Sequence, residues 1–129
     1  MFSNNKINDS ELGELTFSAG LWNSELPTSS REIFISIDGD KKALNEVSLK
    51  QAKQILTNFS NYINDAKNHI KANNVTSFSE NHELLEIEGF YSRSVIGEFD
   101  LDFGLSNEED TSITVNFKNG KPYEVSLSH

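Results

Sequence analysis

From Ser48 to about Ala72 the apolar residues Leu49, Ala52, Leu56, Phe59, Ile63, Ala66 and Ile70 recur at alternating spacings of three and four. Only a helix with one buried face satisfies that period. No Gly or Pro interrupts the run, Ile55 and Tyr62 widen the stripe, and Asn73-Asn74 ends it. Ser48 with Gln51 three residues on has the capping-box pattern. At 1.5 Å per residue one uninterrupted helix here is about 37 Å long, the width of a small domain. The stripe therefore needs a large apolar partner surface. Ala at two stripe positions favours a sheet over a second helix in a coiled coil.

The sequence on either side supplies such a surface. Leu15 and Phe17 alternate with Glu14 and Thr16, Leu21–Leu26 surrounds Trp22 and stops at Pro27, and Ile33, Ile35 and Ile37 share one strand face. Beyond the helix, Phe99, Leu101 and Phe103 alternate with Glu98, Asp100 and Asp102. Ile113, Val115 and Phe117 then lead into Asn119-Gly120 and back through Tyr123, Val125 and Leu127, a β-hairpin signal. Residues 28–30 read as a loop, and residues 1–10 as a loose start. Residues 75–92 fit a short helix over Phe78–Leu85 or a strand from Leu85. Strands, one long helix, then strands predict an α+β fold. It is an antiparallel sheet with one long helix packed on one face and a C-terminal β-hairpin. With 129 residues the expectation is a single domain over 1–129.

Charge narrows the function classes. The formal net charge is −9, which argues against a nucleic-acid binder or a polybasic membrane-surface module. The charge is also uneven. Glu80 to Asp110 holds ten acidic residues and one basic residue, Arg93, whereas Lys41 to Lys71 nets +4. An acidic segment of this kind suits a basic partner. The absence of cysteine removes disulfides, thiol nucleophiles and Cys-based metal sites. No apolar run reaches the roughly 20 residues of a membrane span, and MFSNNKINDSELGEL carries no signal-peptide core. A cytoplasmic-type protein is expected.

Candidate chemistry is sparse. His69, His82 and His129 are dispersed and read as solvent-facing. A calcium loop begun at Glu98 has Phe103 where Gly is required, and one begun at Asp38 has Leu49 where the bidentate Glu belongs. Asp102-Phe103-Gly104 copies a kinase tripeptide without the other kinase motifs. There is no nucleophile elbow and no phosphate-binding Gly-rich loop. No enzyme activity, cofactor or metal is expected. The candidate partner-binding residues are Glu98, Asp100 and Asp102, a row of like charges on one strand face, with Glu108, Glu109 and Asp110 in the following loop. Trp22, Tyr91 and Tyr123 are of the type that anchors interfaces, but core or rim packing is the better reading of each.

Taken together, Leu12-Gly13-Glu14-Leu15, the strand around Trp22, Ile33–Ile37, Leu49-Lys50-Gln51-Ala52, Phe103-Gly104-Leu105, Ile113–Phe117 and Asn119-Gly120-Lys121 form a familiar layout. In it the chain resembles a group of small bacterial proteins of unknown function related to immunity proteins of polymorphic and contact-dependent toxin systems. The resemblance spans most of the chain. It implies a non-catalytic protein that neutralises a basic, nuclease-type toxin domain, and it carries over no catalytic residue. The alternatives are a housekeeping or regulatory module that self-associates as a homodimer through the helix or a sheet edge, and a divalent-metal or small-ligand binder of the acidic half.

Overall fold

The computed structural model describes residues 5–28, 32–105 and 108–128, with the side chains of 76–77, 108–111 and 128 outside that description. Four strands come first: β1 (Lys6–Asp9), β2 (Gly13–Ser18), β3 (Leu21–Pro27) and β4 (Glu32–Ile37). Helices α1 (Glu46–Thr57), α2 (Phe59–Ala72) and α3 (Thr76–Glu80) follow, then a 3-10 turn at His82–Leu84. Four more strands close the chain: β5 (Glu86–Ser92), β6 (Phe99–Leu105), β7 (Glu108–Lys118) and β8 (Lys121–Ser128). All eight strands form one sheet in sequence order.

The α+β class and the C-terminal hairpin are as expected, but the sheet is not purely antiparallel. β4 and β5 pair parallel, Ile35 opposite Phe90, because the helices form the crossover between two four-stranded meanders. A parallel neighbour can be reached only through such a crossover.

Of the loose start expected over 1–10, residues 1–4 lie outside the described residues, and Lys6–Asp9 is a strand instead. Lys6–Asp9 pairs with β2, Ile7 opposite Leu15. The Asp9 carboxylate accepts the Glu11 and Leu12 N–H groups at 2.8 and 3.0 Å and meets Lys53 Nζ of α1 at 3.0 Å. Burial works against the Asp9 charge, yet these bonds outweigh it and hold its pKa below the ordinary value. Of the loop expected at 28–30, residues 29 and 30 lie outside the described residues.

The one long helix is two. Asn58 (φ −112°, ψ 27°) ends α1, its N–H reaching the Gln54 and Leu56 carbonyls, and α2 starts at Phe59. Asn58 Nδ2 and Thr57 Oγ1 donate back to the Gln54 and Lys53 carbonyls at 3.3 and 3.0 Å. Short polar side chains that bond the preceding turn weaken a helix at that point. The helical run is thus interrupted at one residue, and α1 lies on β4 and β5 while α2 reaches β8.

The N-cap is Asn45, whose Oδ1 accepts the Ser48 N–H at 3.0 Å. Ser48 and Gln51 are instead buried and drawn into tertiary bonds. Ser48 Oγ donates to the Ser92 carbonyl and accepts the Asp38 N–H at 2.9 Å. Gln51 Nε2 donates to the Glu98 carbonyl at 2.9 Å, and its Oε1 accepts the Gly97 N–H at 2.7 Å.

Residues 75–92 hold a helix and then a strand, but α3 ends at Glu80, short of the expected Leu85, and a 3-10 turn at His82–Leu84 leads into β5. One face of the sheet carries Leu15, Trp22, Ile33, Ile35, Ile37, Phe90, Phe99, Leu101, Phe103, Ile113, Val115 and Phe117, all buried with Ala52, Ile55, Ala66 and Ile70 of the helices. Tyr62 of α2 meets the stacked rings of Phe99 and Phe117 edge-on, at 5.0 and 5.7 Å between centroids. Trp22 Nε1 is satisfied by the Asp40 carbonyl at 2.9 Å.

Candidate functional site

Strand alternation sends every second residue to the other face of the sheet, which none of the described helices covers. Glu14 and Glu25 are exposed there, beside Phe34, which is 59% exposed. Across the centre, β5, β6 and β7 place residues in register. Tyr91 lies opposite Asp100 and Asp100 opposite Asn116; Gly89 lies opposite Asp102 and Asp102 opposite Thr114. Glu124 of β8 pairs with Asn116 and extends the row.

The expected row of three like charges is only partly formed. Asp100 and Asp102 share the outer face as the alternation required. Glu98 lies outside β6, in the preceding turn, where Gly97 has φ 85° and the Glu98 carbonyl accepts the Arg93 N–H at 3.2 Å. Nor is Asp100 a solvated charge. It is 7% exposed, accepts from Arg93 Nη2 at 2.6 Å and Asn116 Nδ2 at 2.8 Å, and so is neutralised within the fold. Glu108, Glu109 and Asp110 belong to β7 rather than to a loop. Their side chains, and with them that part of the expected surface, lie outside the described residues.

Arg93, which no sequence motif marks, and Tyr91, an anchor-type aromatic, both shape this face. The Arg93 guanidinium carbon stands 4.7 Å above the Tyr91 ring. Burial opposes the Arg93 charge, but the bond to Asp100 and its charge hold the guanidinium pKa above its ordinary value. The Tyr91 hydroxyl donates to Asp38, whose other oxygen accepts the Ser94 N–H at 2.7 Å. Partial burial first, then that bond and the Asp38 charge, push the Tyr91 hydroxyl up to about 12.

Asp102 is in a different state. Its carboxylate accepts from Thr114 Oγ1, and that is its one hydrogen bond among the described residues. Burial, helped by the neighbouring Asp100 charge and opposed by the Thr114 bond, holds its pKa above the ordinary carboxylate value.

Two open depressions flank Phe34. One, of about 560 Å³, is lined by Glu14, Thr16, Asn23 and Glu25. The other, of about 390 Å³, is lined by Ser36, Glu88, Gly89, Tyr91, Asp102, Ser112 and Thr114. The outer face thus offers carboxylates, hydroxyls and one bare aromatic ring, a set suited to holding cations and a protein surface. Among the described residues no three His, Cys, Asp or Glu side chains converge to hold a metal ion.

The histidines stand apart from this face. His82 Nδ1 lies 3.2 Å from the Ser79 carbonyl. His69 is not solvent-facing as expected: its Nε2 is buried with no hydrogen-bond partner in the structure. His129 lies outside the described residues. Among the described residues no helix is long and apolar enough to cross a membrane. Comparison with protein-family models, with curated proteins and with solved structures gives no match for this chain.

Proposed function

We propose that the protein is a non-catalytic binding module that takes a basic protein partner on the outer face of its sheet. In its most concrete form it is a cytoplasmic immunity protein that neutralises a basic, nuclease-type toxin domain. The observation that carries the reading is the asymmetry of the sheet. One face is sealed by helices, while the other presents Glu14, Glu25, Glu88 and Asp102 around an exposed Phe34, with Glu124 farther along the sheet on β8. Carboxylates on a rigid sheet attract a cationic partner over a Debye length and speed its encounter. An aromatic side chain at the centre of such a patch is the kind of anchor that carries binding energy. The resemblance to immunity proteins supplies the toxin as partner.

The test reverses charge at exposed side chains, of which Glu14 makes only an exposed ion pair with Lys6 at 3.8 Å. Glu14→Lys, Glu25→Lys and Glu124→Lys alter exposed residues; reversing Asp100 would break its pair with Arg93 and confound binding with folding. The triple variant is expected to stay folded and to lose at least tenfold in affinity for the basic partner, with wild-type binding weakened by salt. Unchanged affinity would remove the outer face as the binding surface.

A second reading is self-association through a sheet edge. Among the described strands β1 and β8 each pair on one side only, and Tyr123 and Leu127 of β8 are 54% and 41% exposed. Lys121 and Pro122 at the start of β8 are residues that blunt such edges. A concentration-independent monomer mass in sedimentation equilibrium removes this reading.

A further inference from the structure

The outer face repeats one motif twice, and only one copy is filled. In the first row, Asp100 lies between Tyr91 and Asn116. Its cation is internal: Arg93 binds the carboxylate at 2.6 Å and covers the Tyr91 ring at 4.7 Å. Two residues along each strand, the second row sets Asp102 between Gly89 and Thr114, with Phe34 opposite Gly89. The types correspond: an aromatic ring, a carboxylate and a polar donor from β7. Among the described residues no cation completes this copy: neither Asp102 nor Glu88 has an ion pair, and Glu88 has no hydrogen bond.

The depression of about 390 Å³ beside Phe34 is lined by Glu88, Gly89, Asp102 and Thr114. Gly104, next along the same face of β6, leaves room for the Glu88 carboxylate; a Cβ there would stand 2.7 Å from Glu88 Oε2. Burial and the Asp100 charge already disfavour the ionised form of Asp102, a cost that an incoming cation offsets.

We propose that this depression receives a single arginine side chain of the partner, its guanidinium set between the Asp102 and Glu88 carboxylates and against the Phe34 ring. The inference rests on the binding reading above and specifies its central contact. Arginine fits better than lysine because its planar fork can engage two carboxylates and lie flat on an aromatic ring.

The test is a titration of the isotopically labelled full chain, followed by backbone amide shifts. The probes are N-acetyl-arginine amide, its neutral isostere N-acetyl-citrulline amide, and N-acetyl-lysine amide, at matched ionic strength. The arginine probe is expected to give saturable shifts centred on Phe34, Gly89, Asp102 and Thr114. Citrulline should bind at least tenfold more weakly, and lysine more weakly than arginine. Asp102→Asn and Glu88→Gln should each weaken arginine binding severalfold while leaving the remaining spectrum unchanged. The proposal is overturned if arginine gives no saturable shifts at those amides. It is equally overturned if citrulline or lysine matches arginine, or if both variants bind as wild type does. Loss of a basic protein partner in the Glu14, Glu25 and Glu124 triple variant, with no arginine binding here, would sink this site and leave the face reading intact. Arginine binding at this site in a chain that holds no basic protein would do the reverse.

Discussion

At Asp102 the interests of folding and binding diverge. Its folded-state pKa lies above the ordinary value of 3.8, so the folded chain holds that proton more tightly than the unfolded chain. Stability from this group is present in full below the ordinary carboxylate value and is lost as pH rises through the raised one. Asp102→Asn is therefore expected to raise Tm at pH 7, an advantage that vanishes by pH 3 in paired calorimetric scans. A variant less stable than wild type at pH 7 would contradict the burial argument. Gln51 shows the opposite dependence. It is 6% exposed and bonded through both amide atoms to the turn at 97–98. Gln51→Leu should cost about 1–3 kcal/mol in chemical denaturation, the range for stranding buried backbone groups, and should speed hydrogen exchange at the Gly97 amide. At this scale the sequence was half legible. Alternation places Asp100 and Asp102 on one face, but their partners come from across the sheet. Arg93, Asn116 and Thr114 lie seven, sixteen and twelve residues away. Local patterns do not carry such distances, so a satisfied carboxylate and a strained one looked alike.

Among the elements, those with uninterrupted alternation or a turn signal were readable. Glu32–Ile37 is a strand with the expected faces. Asn119-Gly120 turns the last hairpin with φ values of 55° and 76°, the left-handed pair that this dipeptide favours. β5 is legible only at its start, because a bulge between Ile87 and Gly89 breaks its alternation. The helix break at Asn58 was hidden because the three-four apolar spacing runs through it unchanged. Ser48 and Gln51 were misread because a capping pattern and a tertiary clamp use the same residue types. The parallel β4–β5 pair joins the two meanders, and Gly89 permits it. A Cβ there would come 2.1 Å from the Phe34 carbonyl oxygen, a backbone atom that cannot step aside alone. Gly89→Ala should cost at the upper end of the about 1–3 kcal/mol typical of overpacking, read as a lower denaturant midpoint. A midpoint unchanged from wild type would show that the two strands separate freely.

For the whole molecule, the acidic balance was plain in the composition, but its arrangement was not. The excess does not form one free row. Part of it is paired inside the sheet at Asp100, and part is spread over the outer face at Glu14, Glu25, Glu88 and Glu124. A net charge of −9 repels itself, so Tm should rise by a few degrees from about 10 mM to about 300 mM salt as screening sets in. The same salt should weaken association with a basic partner, which separates the two effects of one charge distribution. The most direct measurement is a parallel capture from native host lysate with three tagged chains. They are the wild type, the Glu14, Glu25 and Glu124 reversal, and a control reversing Glu11, Glu46 and Asp65, which are exposed away from the outer strand faces. The expected result is one basic protein at near-equal stoichiometry on the wild type and the control, and its loss from the outer-face variant. Retention by the outer-face variant, equal loss from both variants, or no basic protein on the wild type would contradict the assignment of this face as the partner's site.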